Sequence, residues 1–398
     1  MKAILLICDG LGDLPDENGR TPLSAAEKPN IDRLCAEGRV GEFVAIKDTK
    51  PESDTAHLAI FGYDIEKYYT GRGPFEALGE NIPIKHGDIA FRANLATLRG
   101  GNIIDRRAGR IEQGADQLFS ALQDIRLDNA ELIAEHSVQH RGAVILRGEG
   151  LSYRVSDTDP HTNEPRPILE CKPLDQSYEA QRTAQIVNDF TKKSIEALAK
   201  CEINRQREEK NQLPGNAILL RGAGEYREVP TFLEKYGLSS KCVAAGALYK
   251  GVARYIGMDT PDIPGATATY TTDLKAKLRE CLSGLEGHDF VFVHVKGTDN
   301  AGHDGKFEQK MKMIERVDKE LVSGFPDGVV IAVTGDHCTP VSKKDHSIDP
   351  TPILIRTPGD AGDSINGFDE LQAKKGSLGR IYGTDLMPLL LKSMERKA

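Results

Sequence analysis

No apolar run in this sequence approaches the roughly 20 residues that a membrane-spanning helix needs, so nothing marks it as a membrane protein. Excess basic charge is also missing. Lys and Arg number 52 against 60 Asp and Glu, and the net charge of −8 lacks the broad basic surface of a general nucleic-acid binder. The seven cysteines, Cys8, Cys35, Cys171, Cys201, Cys242, Cys281 and Cys338, are odd in number and show no CxxC spacing. They read as reduced, mostly buried thiols rather than a disulfide framework. No dinucleotide fingerprint follows the first apolar run, because Gly71, Gly73 and Gly79 stand far downstream of it. Internal repeats and low-complexity tracts are absent. The first apolar run starts at Lys2, which leaves no room for a signal peptide and makes the cytoplasm the expected location.

What is present is an ordinary globular composition, 39% hydrophobic and 28% charged, over 398 residues, enough for two cores. Three short apolar runs each end in an acidic residue. Residues 2–8 lead into Asp9; residues 290–295 lead through Lys296 to Asp299, with His303 four positions on; residues 329–334 lead into Asp336 and His337. β-Branched runs of this kind read as buried strands of a parallel sheet, and open α/β sheets hold their ligands at the carboxyl ends of the strands. Each Asp taken singly is most simply a turn residue or a helix N-cap. Three such ends, joined by His346 in a loop that also carries Asp336 and His337, point instead to a metal site. Mixed carboxylate and imidazole ligands suit transition metals.

The rest of the chain suggests a catalytic domain interrupted by an insert. A strand, a helix near 29–37 and a strand near 39–46 make a βαβ opening. Residues 88–98 alternate as a half-exposed strand, with Ile89, Phe91, Ala93 and Leu95 on one face; 130–138 and 142–148 look similar. Residues 178–210 predict one long amphipathic helix. From 214 the βα rhythm resumes with strands near 216–222 and 241–246. The expected organisation is residues 1–80 with 214–398 as a discontinuous metal-binding domain, and 81–213 as an inserted α+β substrate domain.

Asp9, Ser53, Asp299, His303, Asp336, His337 and His346 suffice for a two-metal site, and paired metals favour in-line phosphoryl displacement. Ser53 is the preferred nucleophile. It follows Pro51 at a predicted helix start, where backbone N–H groups and the helix dipole favour an alkoxide or an attached phosphate. A plain N-cap serine is the alternative reading on that segment alone.

The order Asp9, Ser53, Asp299-x3-His303, Asp336-His337, His346 resembles the alkaline phosphatase superfamily. Within it, ESDTAHLAIFGYD, YYTGRGPFEALGE, DIAFRANLAT, DRRAGRI, VSDTDPH, HVKGTDNAGHDG and TGDHCTPVSKKDHSIDPTPILI look like the archaeal-type cofactor-independent (2,3-bisphosphoglycerate-independent) phosphoglycerate mutases. The resemblance covers nearly the whole chain. It implies an α/β fold with a mostly parallel sheet flanked by helices, and an isomerase of glycolysis and gluconeogenesis that interconverts 3-phosphoglycerate and 2-phosphoglycerate through a phosphoserine at Ser53. It further implies that Asp9, Ser53, Asp336 and His337 hold one divalent ion and Asp299, His303 and His346 the other. Manganese is the first expectation, with cobalt, zinc or magnesium as alternatives, and 2,3-bisphosphoglycerate is not required.

Substrate contacts carry over less directly, because the insert lacks the substrate motifs of the longer bacterial and plant form. Arginines that grip carboxylate and phosphate through paired hydrogen bonds are the candidates. They are Arg92, Arg106 and Arg110, with Asp105, Asp159 and the main-domain Lys250 beside them. His161 is the candidate for moving a proton between the glycerate hydroxyls. The expected partner is small-molecule phosphoglycerate, with neither nucleic acid nor membrane, and homo-oligomerisation is left open. A phosphatase or a pentose phosphate mutase of the same superfamily would share the metal residues and differ in the insert. A binding protein with a relic site is disfavoured by the complete ligand set.

Overall fold

The computed structural model describes residues 1–162 and 164–395. The chain forms two compact units, one made of Met1–Tyr68 with Val229–Ala398 and the other of Tyr69–Glu228.

The first unit is built on a seven-stranded sheet. Its strands run in the order Gly379–Tyr382, Arg39–Val44, Thr351–Arg356, Val330–Thr334, Ala3–Cys8, Phe290–Val295 and Ser240–Val243. All neighbours are parallel except on the two sides of Thr351–Arg356. The mostly parallel sheet expected from the sequence is therefore present. Ala3–Cys8 is buried at every position, which explains why it reads as a continuous apolar run rather than an alternating one. Ile4, Leu6 and Cys8 pack on one face with Val293, Val333 and helix residues Leu34, Leu285 and Ile314. On the opposite face lies the helix Ser53–Ile60, whose His57 ring stands edge-on to Phe292 with centroids 5.6 Å apart.

Register places the site. Cys8 pairs with Val295, and Ile7 with Thr334. Asp9, Lys296 and the Gly335-Asp336 turn consequently leave the sheet at one edge.

The second unit holds a five-stranded sheet in which Ile89–Arg99 pairs antiparallel with Asn102–Asp105, Arg141–Arg147 and Ala217–Glu225, and Glu131–His136 pairs with Arg141–Arg147. The helix Tyr178–Ala199 covers it, burying Val187, Phe190 and Leu198 against Phe91, Leu95 and Leu220.

Two sequence expectations change here. The strand expected at 216–222 belongs to this antiparallel sheet rather than to the parallel one, so the units divide after Tyr68 and Glu228, not after residues 80 and 213. The single helix expected over 178–210 is two, Tyr178–Ala199 and Glu202–Glu209. The break is fixed by buried Asn204, whose side-chain amide bonds the carbonyls of Leu198 and Gly215 and the N–H of Gly215. All seven cysteines are free, and six are buried. Among the described residues no helix is long and apolar enough to cross a membrane.

Candidate functional site

Seven residues from five segments of the first unit converge at the carboxyl edge of its sheet. Asp9 follows the opening strand. Asp299 and His303 share one face of the helix Gly297–Asp304, which begins directly after Phe290–Val295. Asp336 and His337 end Val330–Thr334, and His346 lies in the loop beyond. Ser53 opens the helix Ser53–Ile60. Ligand atoms of Asp9, Asp336 and His337 all lie within 4.8 Å of one another, as do those of Asp299, His337 and His346. Ser53 Oγ is 3.3 Å from His337 Nε2. His303 stands at the rim, its side chain 40% exposed, with Nε2 3.2 Å from His346 Nε2 and 3.4 Å from Asp299 Oδ1.

The outer bonds fix the orientation of these rings. His303 Nδ1 donates to the Lys344 carbonyl at 3.0 Å, and His346 Nδ1 donates to the Pro51 carbonyl at 2.9 Å. A carbonyl only accepts, so in the neutral rings the protons sit on Nδ1 and the lone pairs on the two Nε2 atoms. Metal-binding histidines are oriented in this manner. Asp336 Oδ1 accepts from the N–H groups of Gly10 and His337 at 3.0 and 3.1 Å, whereas its buried Oδ2 has no hydrogen-bond partner. Converging carboxylates, imidazole lone pairs and an orphaned buried oxygen fit divalent cations.

Electrostatics agree with that reading. Burial works against charge on Asp9, but Lys296, with His294 and His337, outweighs it and holds this carboxyl well below the usual range. Asp336, equally buried and beside the Asp9 charge, is pushed well above it. Burial drives His337 well below its ordinary value, so it is neutral and able to ligate.

Several residues at the site carried no signal that sequence reasoning used. Lys296 Nζ bridges Asp9 Oδ1 at 2.9 Å and Asp299 Oδ2 at 2.6 Å. His294 Nε2 lies 2.9 Å from Asp9 Oδ2, and its ring stacks on Tyr249 at 3.6 Å. His57 Nδ1 donates to the Ser53 carbonyl at 2.6 Å, bracing the serine from beneath. Burial lowers His57 to about 4 and His294 to about 3. A histidine interrupting the run FVFVHV, with a lysine two residues after it, was the available clue. Lys250 is not among the convergent groups. It pairs with Asp262, while its neighbour Tyr249 packs at the site. Cys338 is buried and its thiol is pushed up to about 12, which suits packing rather than ligation.

The remaining candidates lie in the second unit. Arg106 grips Asp159 through two bonds of 2.6 Å, and Asp159 also accepts from the His161 N–H. His161 Nε2 lies 2.8 Å from Asp157 Oδ2, and its backbone is left-handed with φ 54°. Arg106, Arg107, Arg110, Asp105 and Thr162 line a cavity of about 360 Å³. Arg92 lies opposite Arg221 in the register of adjacent strands and 3.5 Å from Glu76, and Arg221 in turn is 4.0 Å from Asp159. Burial lowers Arg92 to about 9, against the opposing effect of Glu76, and Arg221, Arg72 and Arg141 add to the lowering. Both Arg92 and Arg221 leave a buried Nε unpaired. Sequence reasoning missed Arg141 and Arg221, which strand pairing brings beside Arg92, and Arg72, which stands just before the helix Gly73–Gly79.

Comparison with known proteins matches residues 35–204 to the profile of the 2,3-bisphosphoglycerate-independent phosphoglycerate mutases. A relative from Archaeoglobus fulgidus named 2,3-bisphosphoglycerate-independent phosphoglycerate mutase 1 is 45% identical, over 98% of this chain and 97% of its own length. A protein of that name without the numeral, from Thermoplasma volcanium, is 44% identical over 99% and 97%. Among solved structures, the PH0037 protein from Pyrococcus horikoshii superposes with a TM-score of 0.86 at 37% identity, covering 100% of this chain and 98% of that one. The cofactor-independent phosphoglycerate mutase from Thermoplasma acidophilum gives 0.72 at 35% identity, over 98% and 99%. With identity of this order sustained from end to end, the chain belongs to the 2,3-bisphosphoglycerate-independent phosphoglycerate mutases, a family of isomerases.

Proposed function

We propose that this enzyme interconverts 3-phosphoglycerate and 2-phosphoglycerate, a step of glycolysis and gluconeogenesis, through a phosphoserine at Ser53. The observation that carries the reading is the position of Ser53 Oγ, 3.3 Å from His337 Nε2 at the opening of a helix. Both the helix end and the surrounding ligand set favour a negatively charged phosphoryl group there.

In the first half-reaction Ser53 Oγ bonds to phosphorus, the bond from phosphorus to the 3-oxygen of glycerate breaks, and the serine proton ends on that oxygen. In the second, the 2-hydroxyl oxygen bonds to phosphorus, the serine ester breaks, and the 2-hydroxyl proton returns to Ser53. Asp9, Ser53, Asp336 and His337 would hold one divalent ion, and Asp299, His303 and His346 the other. Two such ions, with manganese the first candidate, would supply a lowered hydroxyl pKa and neutralise phosphoryl charge. His57 keeps Ser53 in place through its carbonyl, and Lys296 balances Asp9 and Asp299. On the second unit, Arg106, Arg107 and Arg110 offer the guanidinium chemistry that carboxylate and phosphate require. His161, paired there with Asp157, is the proposed proton carrier.

The test is an assay of the manganese-loaded protein on 3-phosphoglycerate without added 2,3-bisphosphoglycerate, with mass spectrometry of the quenched enzyme. Formation of 2-phosphoglycerate and a phosphoryl adduct on Ser53 are expected. Inorganic phosphate as the main product, or an adduct on Thr55, would refute the mechanism.

A further inference from the structure

Thr339 is fully buried and lies outside the proposed ligand set. Its Oγ1 is 2.7 Å from Asp299 Oδ1 and 3.0 Å from His337 Nδ1. A hydroxyl has a single proton, and an ionised carboxylate can only accept. The Thr339 proton therefore goes to Asp299, and the hydroxyl oxygen accepts the proton of His337 Nδ1. That fixes the tautomer of His337 and leaves its Nε2 lone pair directed toward Ser53, Asp9 and Asp336. One hydroxyl thus orients a ligand of each proposed metal position.

The surroundings hold Thr339 tightly. Its N–H donates to the Gly12 carbonyl at 3.1 Å. Its own carbonyl accepts from Lys310 Nζ at 2.9 Å. Lys310, itself fully buried, spends its other two protons on the Gly12 carbonyl and Asp13 Oδ2, both at 2.8 Å. The loops after two central strands are thereby tied to one ammonium group. Two glycines make the space. A Cβ at Gly10, where φ is +62°, would come within 2.5 Å of Thr339 Oγ1, and one at Gly302 within 2.3 Å of the Thr339 carbonyl oxygen.

We propose that Thr339 is a positioning residue that, braced by Lys310, sets the geometry of His337 and Asp299 together, so that both metal ions depend on its hydroxyl. Outer partners of metal ligands have effects of roughly 10- to 100-fold on affinity. The inference rests on the metal reading above.

The experiment is isothermal titration of EDTA-treated protein with MnCl2, comparing wild type, Thr339→Val and Thr339→Ser, with circular dichroism melting of the metal-free proteins as a control on folding. Thr339→Val should weaken both binding steps by roughly 10- to 100-fold, and Thr339→Ser should restore them. Either step unaffected in Thr339→Val, or equal loss in Thr339→Ser, would overturn the role of the hydroxyl. Should Thr339→Val fail to fold, Thr339→Ser against Thr339→Ala makes the same comparison. Wild-type protein that takes up no Mn²⁺ would remove the metal reading itself. Normal wild-type uptake with an unaffected valine variant would remove only the role of Thr339.

Discussion

Replacing Lys296 by methionine should destabilise the metal-free protein and do so much less when Mn²⁺ is present. Lys296 Nζ lies 2.9 Å from Asp9 and 2.6 Å from Asp299, and the two carboxylates are 0% and 2% exposed at the side chain. Removing one partner of a buried ion pair costs about 3–5 kcal/mol, because the remaining charge stays buried without compensation. The lower end, about 3 kcal/mol, applies here. The lysine itself is 20% exposed, Asp9 keeps His294, and Asp299 keeps Thr339. Divalent ions that bind only the folded state would supply the missing positive charge, and methionine no longer repels them. The deficit should therefore shrink as Mn²⁺ is added. With no tryptophan in the chain, the measurement is a urea titration followed by far-ultraviolet circular dichroism, with EDTA and then with MnCl2. Equal metal-free midpoints, or a deficit that Mn²⁺ leaves unchanged, would refute the account of Lys296 as the counter-charge.

Ser53→Ala should lose turnover by a factor on the order of 10³ or more while retaining the fold, because a nucleophile is removed but only one hydrogen bond is lost; steady-state kinetics and melting curves check it together. His303→Ala should bind less manganese without loss of folding, since this ligand sits at the rim and is 40% exposed, and elemental analysis reads the result. Chelation should abolish activity, and added Mn²⁺ should restore it. For pH, burial first, then Arg141, Arg107, Arg92 and Arg110, lower His140 from its ordinary 6.5 to about 4. The unfolded chain takes up that proton before the folded one does, so stability should fall as pH drops from about 6.5 to about 4 and be insensitive above. His140→Gln should make this acid limb shallower in urea titrations run across the window, the remainder belonging to the buried His57, His294 and His337, and an identical slope in the variant would count against the assignment.

The residues proposed as metal ligands were legible because their signal is local. A buried parallel strand writes itself as an apolar run, and the first polar residue after it falls at the ligand-binding edge whatever the rest of the chain does. Asp9 and Asp336 carry that mark directly and Asp299 follows three residues after Lys296, which carries it on the third strand; in-register pairing of Cys8 with Val295 and of Ile7 with Thr334 brings them together. The strand Ala217–Glu225 shows the limit of the same cue. Its apolar half reads like the others, but membership of a sheet is decided by hydrogen-bond partners, and its partner is Ile89–Arg99. Helix length failed for a related reason, since the break near Cys201 is stabilised by Asn204 reaching Gly215 across a loop.

Charged groups were hardest to read. Arg106 is matched to an aspartate 53 residues away, and Arg92 faces Arg221 across strands, so neither pairing leaves a trace in the local pattern. Thr339 lies between these cases. Its place two residues after His337 is visible in DHCT, yet its effect depends on Asp299, 40 residues earlier. A motif can therefore present its ligands in sequence while the bonds that orient them come from elsewhere in the chain. Variants of the ligands alone probe the legible half of this site, and variants of Lys296, Thr339 and Lys310 probe the half that only folding assembles.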